Sequence, residues 1–172
     1  MLFQATEKTY RADLAAFGNV EYAMASSYEV QGYSTIHHDF YLFHESAKTK
    51  YPKNEAILRE TIGVDRLRAL REASQALYPY GLGPGQRPEQ PDLFVYKSTE
   101  DFFFCEVKRK KTGDYLRPPQ MLGISLIMTF LSVRTELATI LDTHEREPAT
   151  CRTYQWVWPA IQETGFHTVV VE

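Results

Sequence analysis

The strongest constraint on the fold is a pair of apolar runs, Leu93–Tyr96 and Phe102–Val107, joined by the polar link Lys97–Asp101. Runs of this length, rich in Phe and Val and opened by a proline, predict an antiparallel hairpin. Strand side chains alternate between faces, so Glu106 and Lys108 project together while Val107 points the other way. Asp92 stands at the entrance to the first strand, directly after Pro91. Two carboxylates and a lysine thus converge at the ends of paired strands. Such a cluster suits a hard divalent cation with a water activated beside it.

The rest of the composition narrows the class. A chain of 172 residues with 44% hydrophobic and 24% charged residues has enough material for one sizeable core. A single domain spanning residues 1–172 is expected. The net charge of −3 excludes a uniformly basic nucleic-acid coat, so any such binding must come from a local patch. Cys105 and Cys151 have neither zinc-ligand spacing nor the density of a disulfide scaffold. No stretch is long and apolar enough to span a bilayer, and the N-terminus carries no signal-peptide pattern. No membrane partner and a cytoplasmic setting are expected.

Along the chain, Thr6 is placed to cap a helix from Glu7 to about Phe17, and Asn19 a second from Val20 to Gln31 that stops at Gly32. On the second, Glu21 shares a face with Met24, Ala25 and Tyr28. An acid in a first turn is also favoured by the helix dipole alone. Gly32–Ile36 reads as a strand start. His37 and His38, as strand neighbours, should point to opposite faces and so not share a metal. Residues 45–54 read as a loop, and helical periodicity then runs from Glu55 to Ile62 and from Asp65 to Leu77. Its buried stripe is Leu67, Leu70 and Leu77, with Arg59, Arg66, Arg68 and Arg71 on the outer face and Arg68 paired to Glu72. The Pro- and Gly-bearing segment 78–90 reads as a loop or flap delivering the chain to the hairpin. After the basic run Arg109-Lys110-Lys111, Pro118 and Pro119 open an apolar, buried helix from Gln120 to Leu131. Strands are expected over Glu136–Asp142, Tyr154–Trp158 and His167–Val171.

Pro91-Asp92 followed by Glu106-Val107-Lys108 resembles the signature of the PD-(D/E)xK nuclease superfamily. The continuation through Asp114, Leu116, Pro118 and Gln120 resembles the VRR-NUC family within it. The resemblance covers about residues 88–131. It implies an α/β fold with a restriction endonuclease-like core, a central mixed β-sheet flanked by helices, and a helical insertion over about 45–80 ahead of the hairpin.

The same resemblance implies a nuclease that hydrolyses DNA phosphodiester bonds with Mg2+ or Mn2+, acting on branched, flapped or nicked DNA. Asp92, Glu106 and the Val107 carbonyl would hold the metal. Lys108 would orient or deprotonate the attacking water, and Glu21 would hold a metal-bound water or a second cation. Gln120 would contact Lys108, a water or a phosphate. Glu55 and Glu60 are alternatives to Glu21 for the helical acid. Arg109, Lys110, Lys111 and Arg117, emerging beside the metal, are the candidate phosphate contacts. Stand-alone relatives pair, which implies a homodimer, and Tyr154, Trp156, Trp158 and Phe166 suit either an interface or a core.

Each residue also has a structural explanation. Asp92 suits a turn cap, Glu106 and Lys108 a same-face strand pair, Gln120 a helix cap, and Asp114 a Gly-Asp turn. A second function compatible with the sequence is a non-catalytic module that keeps the fold and binds nucleic acid or protein. A third is an RNA- or nucleotide-directed hydrolase.

Overall fold

The computed structural model describes residues 1–45, 50–78, 87–110, 115–145, 152–157 and, for the backbone, 169–171. The predicted hairpin is present: β3 (Leu93–Tyr96) pairs antiparallel with β4 (Phe102–Arg109), Leu93 opposite Cys105. Its turn closes through Lys97 N–H donating to the Asp101 carbonyl at 2.9 Å. The Ser98 hydroxyl accepts from the backbone of Glu100 and Asp101.

The start of the chain differs from expectation. Residues Leu2–Ala12 form strand β1, where a helix was expected from Glu7, and only the single turn α1 (Leu14–Phe17) is helical. Asp13, not Thr6, supplies the cap, accepting from Ala15 and Ala16. Burial alternates along β1, with Phe3, Ala5 and Glu7 inward. What holds it is remote: β1 pairs parallel with β5 (Thr135–Asp142) and antiparallel with β6 (Arg152–Val157). The second helix meets expectation. In α2 (Val20–Val30), the Asn19 side chain accepts from Tyr22 N–H at 2.8 Å, and Ala23, Met24, Ala25 and Tyr28 are buried.

Together with β2 (Ser34–His37) and β7 (Val169–Val171), these strands form one mixed seven-stranded sheet in the order β2-β3-β4-β5-β1-β6-β7. The chain is therefore α/β with helices against the sheet. Helix α2 covers Leu93, Val95, Phe103, Cys105 and Val107 on one face. Helix α5 (Pro118–Leu131) covers the other, over Phe104 and Leu137. Its expected all-round burial is observed along most of its length.

Helices α3 (Pro52–Ile62) and α4 (Val64–Leu77) turn at Gly63, whose φ of 93° favours glycine. They are not an appendage. Leu58, Ile62, Leu67 and Leu70 share a core with Phe94 and Phe104 of the sheet and with Leu126 and Ile127 of α5.

Several expectations for this region are corrected. Leu77 is exposed rather than part of the buried stripe. Arg71 is buried and anchors the layer, bonding Glu55 at 2.8 Å and the Tyr41 carbonyl at 2.6 Å. Arg59 pairs with Glu45 and Glu55, and Arg66 donates to the Leu131 carbonyl, so neither belongs to an open basic face. Arg68 pairs with Asp65 at 2.6 Å, not with Glu72. Tyr154 and Trp156 are core residues, beside Phe3, Met121 and Ile124, which removes them as interface candidates. Trp158, Phe166, Cys151 and most of the segment read as a flap (79–86) lie outside the described residues.

The chain entering the hairpin is fixed by α5. Glu89 N–H donates to the Pro119 carbonyl at 2.9 Å, and a Cβ built on Gly123 would lie 2.0 Å from the Glu89 carbonyl oxygen. Gln90 then clamps residues 40–42, accepting from Leu42 N–H and donating to the Phe40 carbonyl. Gly123→Ala must push this backbone away. A loss of about 1–3 kcal/mol in urea unfolding is expected, the usual cost of overpacking. A fully stable Gly123→Ala protein would show that the close approach is dispensable.

Candidate active site

Register places Asp92 and Glu106 opposite one another. His37 pairs with Leu93, and the next step has His38 N–H donating to the Asp92 carbonyl at 3.1 Å. Leu93 faces Cys105, so Asp92 stands level with Glu106. Asp92 is held there because its Oδ2 accepts the Val107 N–H at 2.8 Å. The Val107 N–H thus orients the aspartate, a contact separate from the metal ligation expected of its carbonyl. Burial pushes the Asp92 carboxyl above the ordinary aspartate range, partly opposed by the Val107 N–H, His38 and Lys108.

Glu106 and Lys108 lie on one face as the alternation required, and their ion pair at 2.7 Å is almost wholly shielded, at 2% and 5% exposure. Gln120 completes this group. It sits at the third position of α5, where its carbonyl accepts from Arg117 N–H at 3.0 Å and its amide donates to Glu106 Oε1. The expected partner was Lys108, a water or a phosphate; the observed one is the glutamate. The helix-cap contact and the contact to Glu106 are made by opposite ends of one amide.

Glu21 lies in the first turn of α2 beside the end of β2, near enough to Asp92 to disfavour its ionisation. Glu55 is committed to Arg71 and Arg59 and Glu60 is exposed on the same helix, whereas Glu21 acts on Asp92 directly. Of the basic patch, Arg109 is exposed at the end of β4, Lys110 follows it, and Arg117 pairs with Glu89 at 2.8 Å. Lys111 and Asp114 lie outside the described residues.

Two features escaped the sequence. The first is Glu7, buried on β1 and accepting from the Thr139 and Tyr154 hydroxyls. It shares the Glu106 level through Leu137, but two strands away, roughly 10 Å by ordinary strand spacing. Alternation with Phe3 and Ala5 was its signal. The second is the pair His37 and His38, whose rings lie 3.9 Å apart. Opposite-facing alternation fails because His38 adopts φ 54° and ends the strand. Glu21, His37 and His38 each offer a ligand atom within 4.8 Å of the others. Burial lowers the His37 pKa, with His38 adding to the effect.

The carboxylates of Asp92 and Glu106 are hard oxygen donors at one level of the sheet, a set that fits Mg2+ or Mn2+. No protein-family model matches the chain, and no curated protein matches its sequence.

Proposed function

We propose that the chain is a metal-dependent nuclease of the restriction endonuclease-like type, acting on DNA. The observation that carries this is the joint placement of Asp92, Glu106 and Lys108: two carboxylates opposite one another at one sheet level, with the lysine two residues along the same strand and paired to Glu106, each held by a specific neighbour. The surrounding order supports it. Helix α2 with its acid, antiparallel β2, β3 and β4 with α3 and α4 inserted after β2, then α5 and a strand parallel to β4, make an order compatible with such a core.

Asp92 and Glu106 would hold Mg2+ or Mn2+, which when bound neutralises charge on the phosphate and acidifies water. Val107 N–H keeps Asp92 aimed, and Gln120 keeps Glu106 aimed. Lys108 would orient or deprotonate the attacking water and stabilise charge on the phosphate. Arg109 and Lys110 extend that positive charge along the strand end, suited to a phosphate backbone rather than to base edges.

Incubation of the purified chain with forked, four-way, nicked and linear DNA, with Mg2+ or Mn2+, tests the reading. Cleavage of at least one substrate is expected, stopped by chelation and by Glu106→Gln. No cleavage of any, or cleavage that survives Glu106→Gln, rules it out.

A further inference from the structure

We propose that Glu21, His37 and His38 form a binding site for a first-row transition-metal ion, of the Zn2+, Co2+ or Mn2+ class, beside the Asp92 centre. Three observations meet there. The ligand atoms of one carboxylate and two imidazoles lie within 4.8 Å of one another. The His37 Nε2 is shielded from solvent and has no hydrogen-bond partner, a costly state for a polar nitrogen. The backbone is bent to bring the second imidazole in: His38 holds a left-handed φ of 54°, and tight bonds from Asp39 N–H to the His37 carbonyl and Phe40 N–H to the His38 carbonyl follow. A non-glycine residue in that region is uncommon.

The donor set chooses the ion. Imidazole suits zinc, cobalt and related metals, whereas Mg2+ takes oxygen. Zinc–nitrogen bonds of about 2.0–2.1 Å need the three atoms somewhat closer. Rotation of the exposed His38 side chain supplies that. His38 Nδ1 also lies 3.8 Å from Asp92 Oδ1, so an ion here adjoins the candidate catalytic carboxylate. The site does not depend on the nuclease reading and is tested without it.

Co2+ titration of the full chain, followed by visible absorption, reads occupancy directly. With excess Mg2+ present to fill the Asp92–Glu106 centre, one Co2+ per chain is expected, with affinity reduced at least roughly 10–100-fold in Glu21→Gln and in His38→Gly. Glycine is chosen because it accepts the left-handed backbone. Asp92→Asn should leave binding intact. Zn2+ should shift the imidazole resonances of His37 and His38 and not those of His44, His144 or His167. Equal affinity in wild type and both variants, displacement by Mg2+, or loss in Asp92→Asn alone overturns the proposal. Circular dichroism of each variant confirms that the readout concerns a folded chain.

Discussion

Asp92→Asn is expected to remove metal-dependent cleavage while leaving the fold as stable as before or more so at neutral pH. Loss of the carboxylate should cost at least the ~10²–10³-fold that removal of one electrostatic stabiliser costs elsewhere. The amide oxygen can still accept the Val107 N–H, so the local backbone keeps its partner. The stability half follows from burial, which raises the Asp92 pKa in the folded chain. Between the unfolded value and that raised value the folded state binds more protons, so wild-type stability falls as pH rises through the window. Asparagine carries no such dependence. Its advantage should therefore appear above the window and vanish below it. Urea unfolding of both proteins across acid to neutral pH, beside single-turnover cleavage, measures the two halves. A variant that is both inactive and globally unstable would assign Asp92 a structural role.

Lys108→Met carries the largest expected stability loss. Glu106 is buried with the lysine as its countercharge. Removing one partner of such a pair typically costs about 3–5 kcal/mol, because a charge is left in the interior. The Gln120 amide remains on Glu106 and places the expected loss near the lower end of that range. The double variant Glu106→Gln/Lys108→Met should recover most of it, since neither charge is then buried. Both should be inactive. Midpoints of denaturant unfolding decide the point, and no recovery in the double variant would show that shape rather than charge sets the pair.

These expectations rest on a hairpin that was legible in the residues. Pro91, the polar link and the Phe-rich runs specify two short strands locally, and alternation then fixes the face of Glu106 and Lys108. Helix α2 was legible for the same reason, through Asn19 and its apolar stripe. Strand β1 was not. Its partners β5 and β6 lie at the far end of the chain, and its charged outward residues imitate a helix start once Glu7 is taken as exposed. Alternation of Phe3, Ala5 and Glu7 was present but weak beside that cue. Arg71 was misplaced because periodicity alone cannot distinguish a solvated arginine from one that binds Glu55 on the neighbouring helix. The histidine pair failed for a sharper reason: strand alternation holds only while the strand continues, and a single left-handed residue at His38 ends it.

Diffraction from crystals soaked in Mn2+, using its anomalous signal, tests the central claim most directly. The expected result is a peak bound by Asp92 and Glu106, beside Lys108, that disappears in Asp92→Asn crystals. A soak in which those two carboxylates bind no ion, in a protein that is folded and exposed to Mn2+ at high concentration, would contradict it.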